Sequence, residues 1–395
     1  MRIGIDRLVH GQFAPLRGKA VGIVVNQASV ARDLRSTLDH FLAAHRAGSL
    51  QLAAVFGPQH GLFGHTQDNM VEWEGGQDPR FPFAIHSLYG AVREPTPEML
   101  AGLDTLVIDL PDVGARYYTF AWTMALCMKA CAANGVPVTV LDRPNPIGGM
   151  SIEGPVLDPR YASFVGLHPL PIRHGMTLGE IARYLQSRYY PTCGLSIIEV
   201  EGWDRHRIAP CAELPWIPPS PNMPVPESAL VYPGQCLLEG TNVSEGRGTT
   251  RPFECFGAPW IDGYALADAL NSIALPGVWF RPIAYEPTFQ KHARRLCEGC
   301  FVHVTNAETY EPFATTIAIL QVIAREHANH FRLNDPPYEY EDVHRPIDIL
   351  LGRGDLWDRI ANGEPLACLK GEWQAELDDF DREWRQPHLT ASRNA

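Results

Sequence analysis

Between residues 21 and 141 the chain alternates short apolar runs with longer amphipathic ones. Residues 21–26 (VGIVVN), 52–56 (LAAVF), 106–110 (LVIDL) and 138–141 (VTVL) are rich in branched side chains and read as strands. Between them, Thr96-Pro97 supplies an N-cap followed by proline at the first helical position. Phe120, Met124, Cys127, Met128 and Cys131 recur at helical spacing, and Gly135 follows as a stop. Strands that alternate with helices predict βαβ units and a parallel sheet.

Further along, Thr177 and Glu180 form a capping box that opens a helix, and residues 195–203 read as a strand. Residues 216–260 are dense in proline, glycine and small polar residues, and read as one long irregular loop of the kind that carries function. A helix at 263–270, strands at 278–285 and 301–305, a long helix around 315–330 and an amphipathic closing segment at 368–385 complete the pattern. The fold class expected is α/β. A Rossmann-like parallel-sheet domain covers residues 1–150, and a second α/β domain covers residues 151–395 and holds the irregular loop 216–260.

Polar clusters follow each early strand: Asn26-Gln27, GPQHG at 57–61, DLPDVGARYY at 109–118 and DRPNP at 142–146. Ligands of parallel sheets gather beyond the carboxyl ends of the strands, so four clusters on one rim point to a site. Singly, Asp109, Asp112 and Asp142 read as caps of helices and turns. The helix after Arg116 would aim its amides at the same rim.

Composition narrows the chemistry. A net charge of −12 excludes a general nucleic-acid or anionic-membrane surface, though not a small anion held by one or two arginines. No run reaches the roughly 18 apolar residues of a membrane span, and none near the N-terminus suits a signal peptide. The nine cysteines sit in apolar contexts, as reduced thiols of a cytoplasmic protein do; Cys297 and Cys300 form a single CxxC without a second pair. The first strand is followed by VNQASVARD rather than a G-x-G-x-x-G turn, so no dinucleotide cofactor is expected, and there is no Walker loop or G-x-S-x-G elbow. His60, His65 and Asp68 do not have a zinc spacing, and no metal is expected. The remaining candidates are carboxylates in unusual company: Asp112, Glu153 just past the domain boundary, and Glu239 and Glu245 in EGTNVSEGRGTT. Tyr117, Tyr118, Trp216, Phe253 and Trp260 could stack on sugar rings.

The runs NQASV, FGPQHG, SLYG, PTPEML, DLPDVGARYYTF, LDRPNPIGG, IEGPVLDP, RHGMTLGE, PSPNMP, EGTNVSEGRGTTRPFE and GAPW, in this order, resemble the NamZ-like exo-β-N-acetylmuramidases. The resemblance is near-continuous from Asn26 to Trp260 and looser beyond. It implies an exo-acting glycoside hydrolase that releases N-acetylmuramic acid from non-reducing ends of peptidoglycan fragments. It also implies a Rossmann-like domain and a second α/β domain with the active cleft between them, and no nucleotide cofactor. Two positions depart from the family pattern: Gln59, where many members carry glutamate, and Pro111, where glutamine is usual.

On that reading Glu153 is the expected acid, desolvated by the sheet rim and the irregular loop, with Asp112, Glu239 or Glu245 as its partner. Arg116, Arg173 or Arg247 would hold the lactyl carboxylate through a bidentate fork. His60, Tyr117, Tyr118, Asn145, Asn222 and Asn242 would contact hydroxyl and acetamido groups, and His174 would bond backbone at a helix start or move a proton. The partners implied are small muropeptide or disaccharide fragments, met in the cytoplasm during wall recycling, with neither nucleic acid nor membrane. The rival readings are a sugar-binding protein without chemistry and a hydrolase acting on the amide or lactyl ether of the same ligand.

Overall fold

Alternation along the strands decides the layers. The computed structural model describes residues 1–81, 83–209 and 214–389. In chain order its strands are β1 (Ala20–Val25), β2 (Gln51–Gly57), β3 (Gly76–Gln77), β4 (Ala84–Ser87), β5 (Thr105–Asp109), β6 (Val138–Leu141), β7 (Glu153–Val156), β8 (Pro171–Arg173) and β9 (Leu195–Ile198). Seven of them form one sheet in the order β3-β4-β2-β1-β5-β6-β9, parallel except where β3 meets β4, while β7 and β8 pair in a separate ribbon. Val21, Ile23, Val25 and Val107 point to one face, where α1 (Gly4–His10) and α2 (Thr37–Arg46) supply Ile5, Leu8 and Phe41. Val24, Leu106, Ile108, Val138 and Val140 belong to the other core, which continues into the second half of the chain.

The local signals act as the sequence suggests. Thr96 caps the short α3 (Pro97–Leu100) by accepting from the Met99 amide. The apolar α4 (Phe120–Asn134) stops at Gly135, whose φ of 68° favours a residue without Cβ. Thr177 and Glu180 form the capping box of α5 (Leu178–Arg188).

The second half builds a three-stranded antiparallel sheet, β10 (Cys255–Ala258), β12 (Cys297–Val304) and β11 (Val278–Tyr285), in that order. Around it lie α6 (Pro226–Gln235), α7 (Gly263–Ser272), α8 (Pro312–Glu326), α9 (Pro346–Leu351), α10 (Leu356–Ala361) and α11 (Leu366–Phe380). Helices α6 and α8 meet at Gly234, where a Cβ would lie 1.9 Å from the Pro312 carbonyl oxygen.

Three expectations need correction. Residues 216–260 are not one irregular loop: α6, a 3-10 turn at Cys236–Gly240 and β10 all lie within them. Pro226 starts α6 at a position where proline is tolerated, and the buried Ala229, Leu230 and Val231 hold the helix despite Pro233 inside it. The strand expected at 195–203 is confined to β9. Because β9 pairs with β6, the large sheet runs past residue 150, and the expected boundary does not coincide with its end. Among the described residues no helix is long and apolar enough to cross a membrane.

Candidate active site

Residues from both halves of the chain line one small, partly enclosed chamber. The turn after β2 brings Gln59 and His60, and the approach to α4 brings Tyr117, Tyr118 and Thr119. Ser220 and Asn222 enter from the segment before α6, Glu239 from the 3-10 turn that follows it, and Arg247 from the next loop. Tyr338 and Glu339 close the far side.

Two carboxylates face this space in different environments. Glu239 is held at both oxygens: Oε1 accepts from Arg247 Nη2 at 2.7 Å, and Oε2 accepts from the Tyr338 hydroxyl at 2.8 Å and from Asn69 Nδ2 at 3.1 Å. Burial works against the Arg247 charge, but Glu239 and Glu245 outweigh it and raise the guanidinium's pKa. Glu339 makes no ion pair among the described residues, although the charge of Arg247 lowers its pKa somewhat. Its Oε2 accepts from the Tyr89 hydroxyl at 2.8 Å and its Oε1 from Gln59 Nε2 at 3.4 Å. Burial, reinforced by the charge of Glu239, pushes Glu339 up to about 7.

Gln59 is fixed at both ends of its amide. Its oxygen accepts from Thr119 Oγ1 at 2.7 Å, and its nitrogen donates to Tyr89 at 3.0 Å. His60 Nδ1 lies 2.8 Å from the Thr66 carbonyl oxygen, so that nitrogen is the donor. Burial, with the charge of Arg247, lowers its pKa to about 4, and a neutral imidazole with an accepting Nε2 faces the chamber.

The other anticipated residues divide sharply. Asn222 lines the chamber and donates to the Gln67 carbonyl at 2.8 Å, and Tyr117 lines it while donating to the Pro233 carbonyl at 3.2 Å. The Tyr118 hydroxyl is buried in the chamber wall, beside Ser220. Glu245 sits just outside, where Lys291 at 2.9 Å and Arg247 at 3.3 Å hold it below the usual carboxylate range in spite of burial.

Glu153, expected as the acid, does not line the chamber. Its Oε1 accepts from the Ala314 amide at 2.8 Å at the N-terminus of α8, opposite Arg173 on the β7–β8 ribbon. Burial raises it to about 7, the effect anticipated, but at a place where its work is to join a helix to a ribbon. Arg116 is likewise consumed: it donates to the carbonyls of Pro155, Leu170 and Leu350 at 2.8–3.1 Å, and burial lowers it to about 10. Arg173 donates to the Ile147 carbonyl at 2.6 Å. Asp112 accepts from the Gly114 amide at 2.7 Å and lies 3.2 Å from His174 Nε2, beside a different cleft shared with Asn145 and Trp216. Asn145 bonds the Met176 carbonyl and the Ile147 amide, and Asn242 the His330 carbonyl and the Arg332 amide. Asp109 pairs with Arg143, and Asp142 caps α5 through Thr177 and Gly179. Glu339, Tyr338, Tyr89 and Asn69 went unread in the sequence. Each stands in a loop or short strand without periodicity, and only chain reversal over long distances brings them together.

Residues 21–227 match the family model described as exo-beta-N-acetylmuramidase NamZ, N-terminal, and residues 230–389 the corresponding C-terminal model. The chain is 40% identical over 382 residues to the peptidoglycan beta-N-acetylmuramidase NamZ of Bacillus subtilis (strain 168), spanning 97% of this chain and 89% of that protein. A crystal structure of a DUF1343 family protein from Bacteroides fragilis NCTC 9343 superposes with a TM-score of 0.86 at 33% identity, over 98% of both chains. A second DUF1343 family protein from the same organism gives 0.74 at 26% identity, again over 98% of both.

Proposed function

The chain belongs to the NamZ family of exo-β-N-acetylmuramidases, and from that premise we propose that Glu339 and Glu239 are the carboxyl pair of its reaction. The protein is a glycoside hydrolase acting on peptidoglycan. Glycosidases of this kind need one protonated carboxyl to assist the leaving oxygen and one ionised carboxyl as nucleophile or base. The observation that carries the assignment is the contrast inside one chamber: Glu339 held by the neutral donors Tyr89 and Gln59 and raised to about 7, and Glu239 paired with Arg247 at 2.7 Å. Glu339 gives its proton to the glycosidic oxygen, and Glu239 meets the positive charge that develops at the anomeric carbon.

Arg247 is the cation assigned to the lactyl carboxylate; among the described residues lining the chamber no other arginine or lysine stands. His60 Nε2, the Tyr118 hydroxyl and Asn222 serve the sugar's hydroxyl and acetamido groups. The substrate end we assign is the non-reducing one, in keeping with the exo-acting family. The unpaired buried thiols, Cys127, Cys131, Cys297 and Cys300 among them, suit a reducing compartment. They support action on wall fragments within the cell.

The test is hydrolysis of a chromogenic β-N-acetylmuramide beside its N-acetylglucosamine analogue, by wild type, Glu339→Gln and Glu239→Gln. The expected result is release from the muramide alone and a loss of at least about a hundredfold in each variant. Substantial turnover by Glu339→Gln would remove it as the acid. One observation favours the rival reading of a binding protein, the amide of Gln59 at a place where the family resemblance leads to an expectation of glutamate in many members. Muramide recovered intact after long incubation with wild type would establish it.

A further inference from the structure

Glu339 reaches the chamber from a turn that its own residues do not favour. Tyr338 and Glu341 exchange both backbone hydrogen bonds, at 2.9 and 3.0 Å, so Glu339 and Tyr340 are the two central residues of a tight hairpin turn. Both have positive φ, 46° and 68°. Turns of that kind ordinarily take Asn-Gly, Asp-Gly or Gly-Gly, because a bulky side chain is disfavoured at each central position. A glutamate and a tyrosine persist there only where the surroundings hold them.

The holding groups come from residues 70–93, in the other half of the chain. The Arg93 guanidinium carbon lies 3.1 Å from the centroid of the Tyr340 ring and 5.6 Å from that of Tyr89. Tyr89 meets Tyr340 edge to face, with centroids 5.7 Å apart. Glu72 pairs with Arg93 at 3.0 Å, and the Glu339 amide donates to Met70 Sδ at 3.3 Å. Glu341 Oε1 closes the far end of the turn by accepting from the amides of Val343 at 2.6 Å and His344 at 2.9 Å.

Resting on the assignment of Glu339 as the acid, we propose that Arg93 and Tyr340 are positioning residues for the reaction: the guanidinium laid on the Tyr340 ring locks the turn, and the locked turn fixes where the Glu339 carboxyl stands. Neither residue lines the chamber, and Tyr340 is exposed while Glu339 beside it is buried. One loop thus holds the acid twice. Tyr89 donates to its carboxyl at 2.8 Å, and Arg93 secures the backbone that carries it. The same turn presents Tyr338, whose hydroxyl donates to Glu239 at 2.8 Å, so its conformation sets both carboxyls of the pair. A misplacement of about 1 Å at a reacting group costs on the order of a hundredfold in rate, so relaxation of this turn is felt in kcat.

Tyr340→Gly separates fold from positioning. Glycine adopts a φ of 68° without strain, so Tm should stay within about 3 °C of wild type although the ring is gone. On the chromogenic muramide kcat should fall at least about tenfold, with KM within about threefold. The ionisable groups facing Glu339, which are Tyr89, Glu239 and Arg247, are unchanged by the substitution. The loosened turn admits water to the carboxyl, and the alkaline limb of the pH–rate profile should move to lower pH. Tyr340→Phe keeps the ring and should recover kcat to within about threefold of wild type. Arg93→Lys keeps the charge opposite Glu72 without the planar face and should lose activity as Tyr340→Gly does. The double variant should lose little more than either single one. A wild-type kcat and pH limb in Tyr340→Gly, equal losses in Tyr340→Phe and Tyr340→Gly, or losses that multiply in the double variant would each overturn the proposal.

Hydrogen exchange over residues 336–343, read by mass spectrometry on the full chain, tests the lock without turnover. Tyr340→Gly and Arg93→Lys should exchange there at least about tenfold faster than wild type. Unchanged exchange would overturn the lock even with Glu339→Gln inactive. Faster exchange together with full turnover by Glu339→Gln would leave the clamp on the turn and sink the acid assignment.

Discussion

Tyr89 donates its phenolic hydrogen to Glu339 at 2.8 Å across 250 residues of chain. A donor to the ionised carboxyl lowers its pKa, while burial and the charge of Glu239 raise it to about 7. With Glu339 as acid, kcat/KM falls as pH rises through about 7. Tyr89→Phe removes the stabilising donor, so the alkaline limb of the pH–rate profile should move upward. A limb that stays in place, or shifts down, would separate Tyr89 from the proton donor.

The same carboxyl makes a stability prediction of definite sign. A folded-state pKa raised from 4.5 to about 7 means that the protonated folded form is favoured, an advantage lost as pH rises through about 7. Glu339→Gln cannot ionise, so its unfolding free energy should gain on wild type by about 2–3 kcal/mol between pH 5 and pH 8. Denaturant unfolding at the two pH values checks this; a constant difference would contradict it.

Arg247 lies between two buried carboxylates, 2.7 Å from Glu239 and 3.3 Å from Glu245. Arg247→Ala leaves Glu239 without its guanidinium partner and should cost about 3–5 kcal/mol, visible as a large fall in Tm. Arg247→Lys retains charge without the planar fork; it should fold but lose activity on the muramide. A silent alanine variant would remove the ion pair from both roles.

Gln290 sets the direction of the Asn69 amide. Because Gln290 Nε2 donates to Asn69 Oδ1 at 3.1 Å, Asn69 Nδ2 is free to donate to Glu239 at 3.1 Å. Gln290→Glu replaces the donor by an acceptor and turns Asn69 around, which sets its oxygen against Glu239. The expected outcome is a fall in kcat of about tenfold or more with a smaller change in KM, and partial recovery in Gln290→Asn. Equal effects of both substitutions would refute the orientation argument.

Glu153→Gln preserves an acceptor for the Ala314 amide and should keep kcat on the muramide within about threefold of wild type, with any change appearing in Tm. Loss of turnover in a folded Glu153→Gln would restore the sequence-based expectation over the geometric one.

Much of the fold was written in local patterns. Alternation in β1 and β5 sorts Val21, Ile23 and Val107 from Val24, Leu106 and Ile108, and the caps at Thr96, Thr177 and Gly135 stand where the residue types demand. The candidate site was half legible. Gln59, His60, Tyr117 and Tyr118 follow strands of a parallel sheet, and Asn222, Glu239 and Arg247 come from the Gly/Pro-rich stretch. What spacing cannot report is which way a buried ion faces. Arg116 and Arg247 look alike in sequence, yet one bonds carbonyls and the other carboxylates. Asp109 and Asp142 sit on the expected rim but are engaged by Arg143 and by the start of α5. Glu339 escaped notice because its partners, Gln59 and Tyr89, are 280 and 250 residues away.

The amide of Gln59, tied to Thr119 on one side and to Tyr89 and Glu339 on the other, determines how many titrating protons this corner of the chamber holds. With glutamine at 59, Glu339 titrates without a second acid at that place. With glutamate there, two carboxyls in bonding range would divide one proton between them, and neither would own the apparent pKa. Glutamine at position 59 therefore leaves the proton of this corner to a single residue.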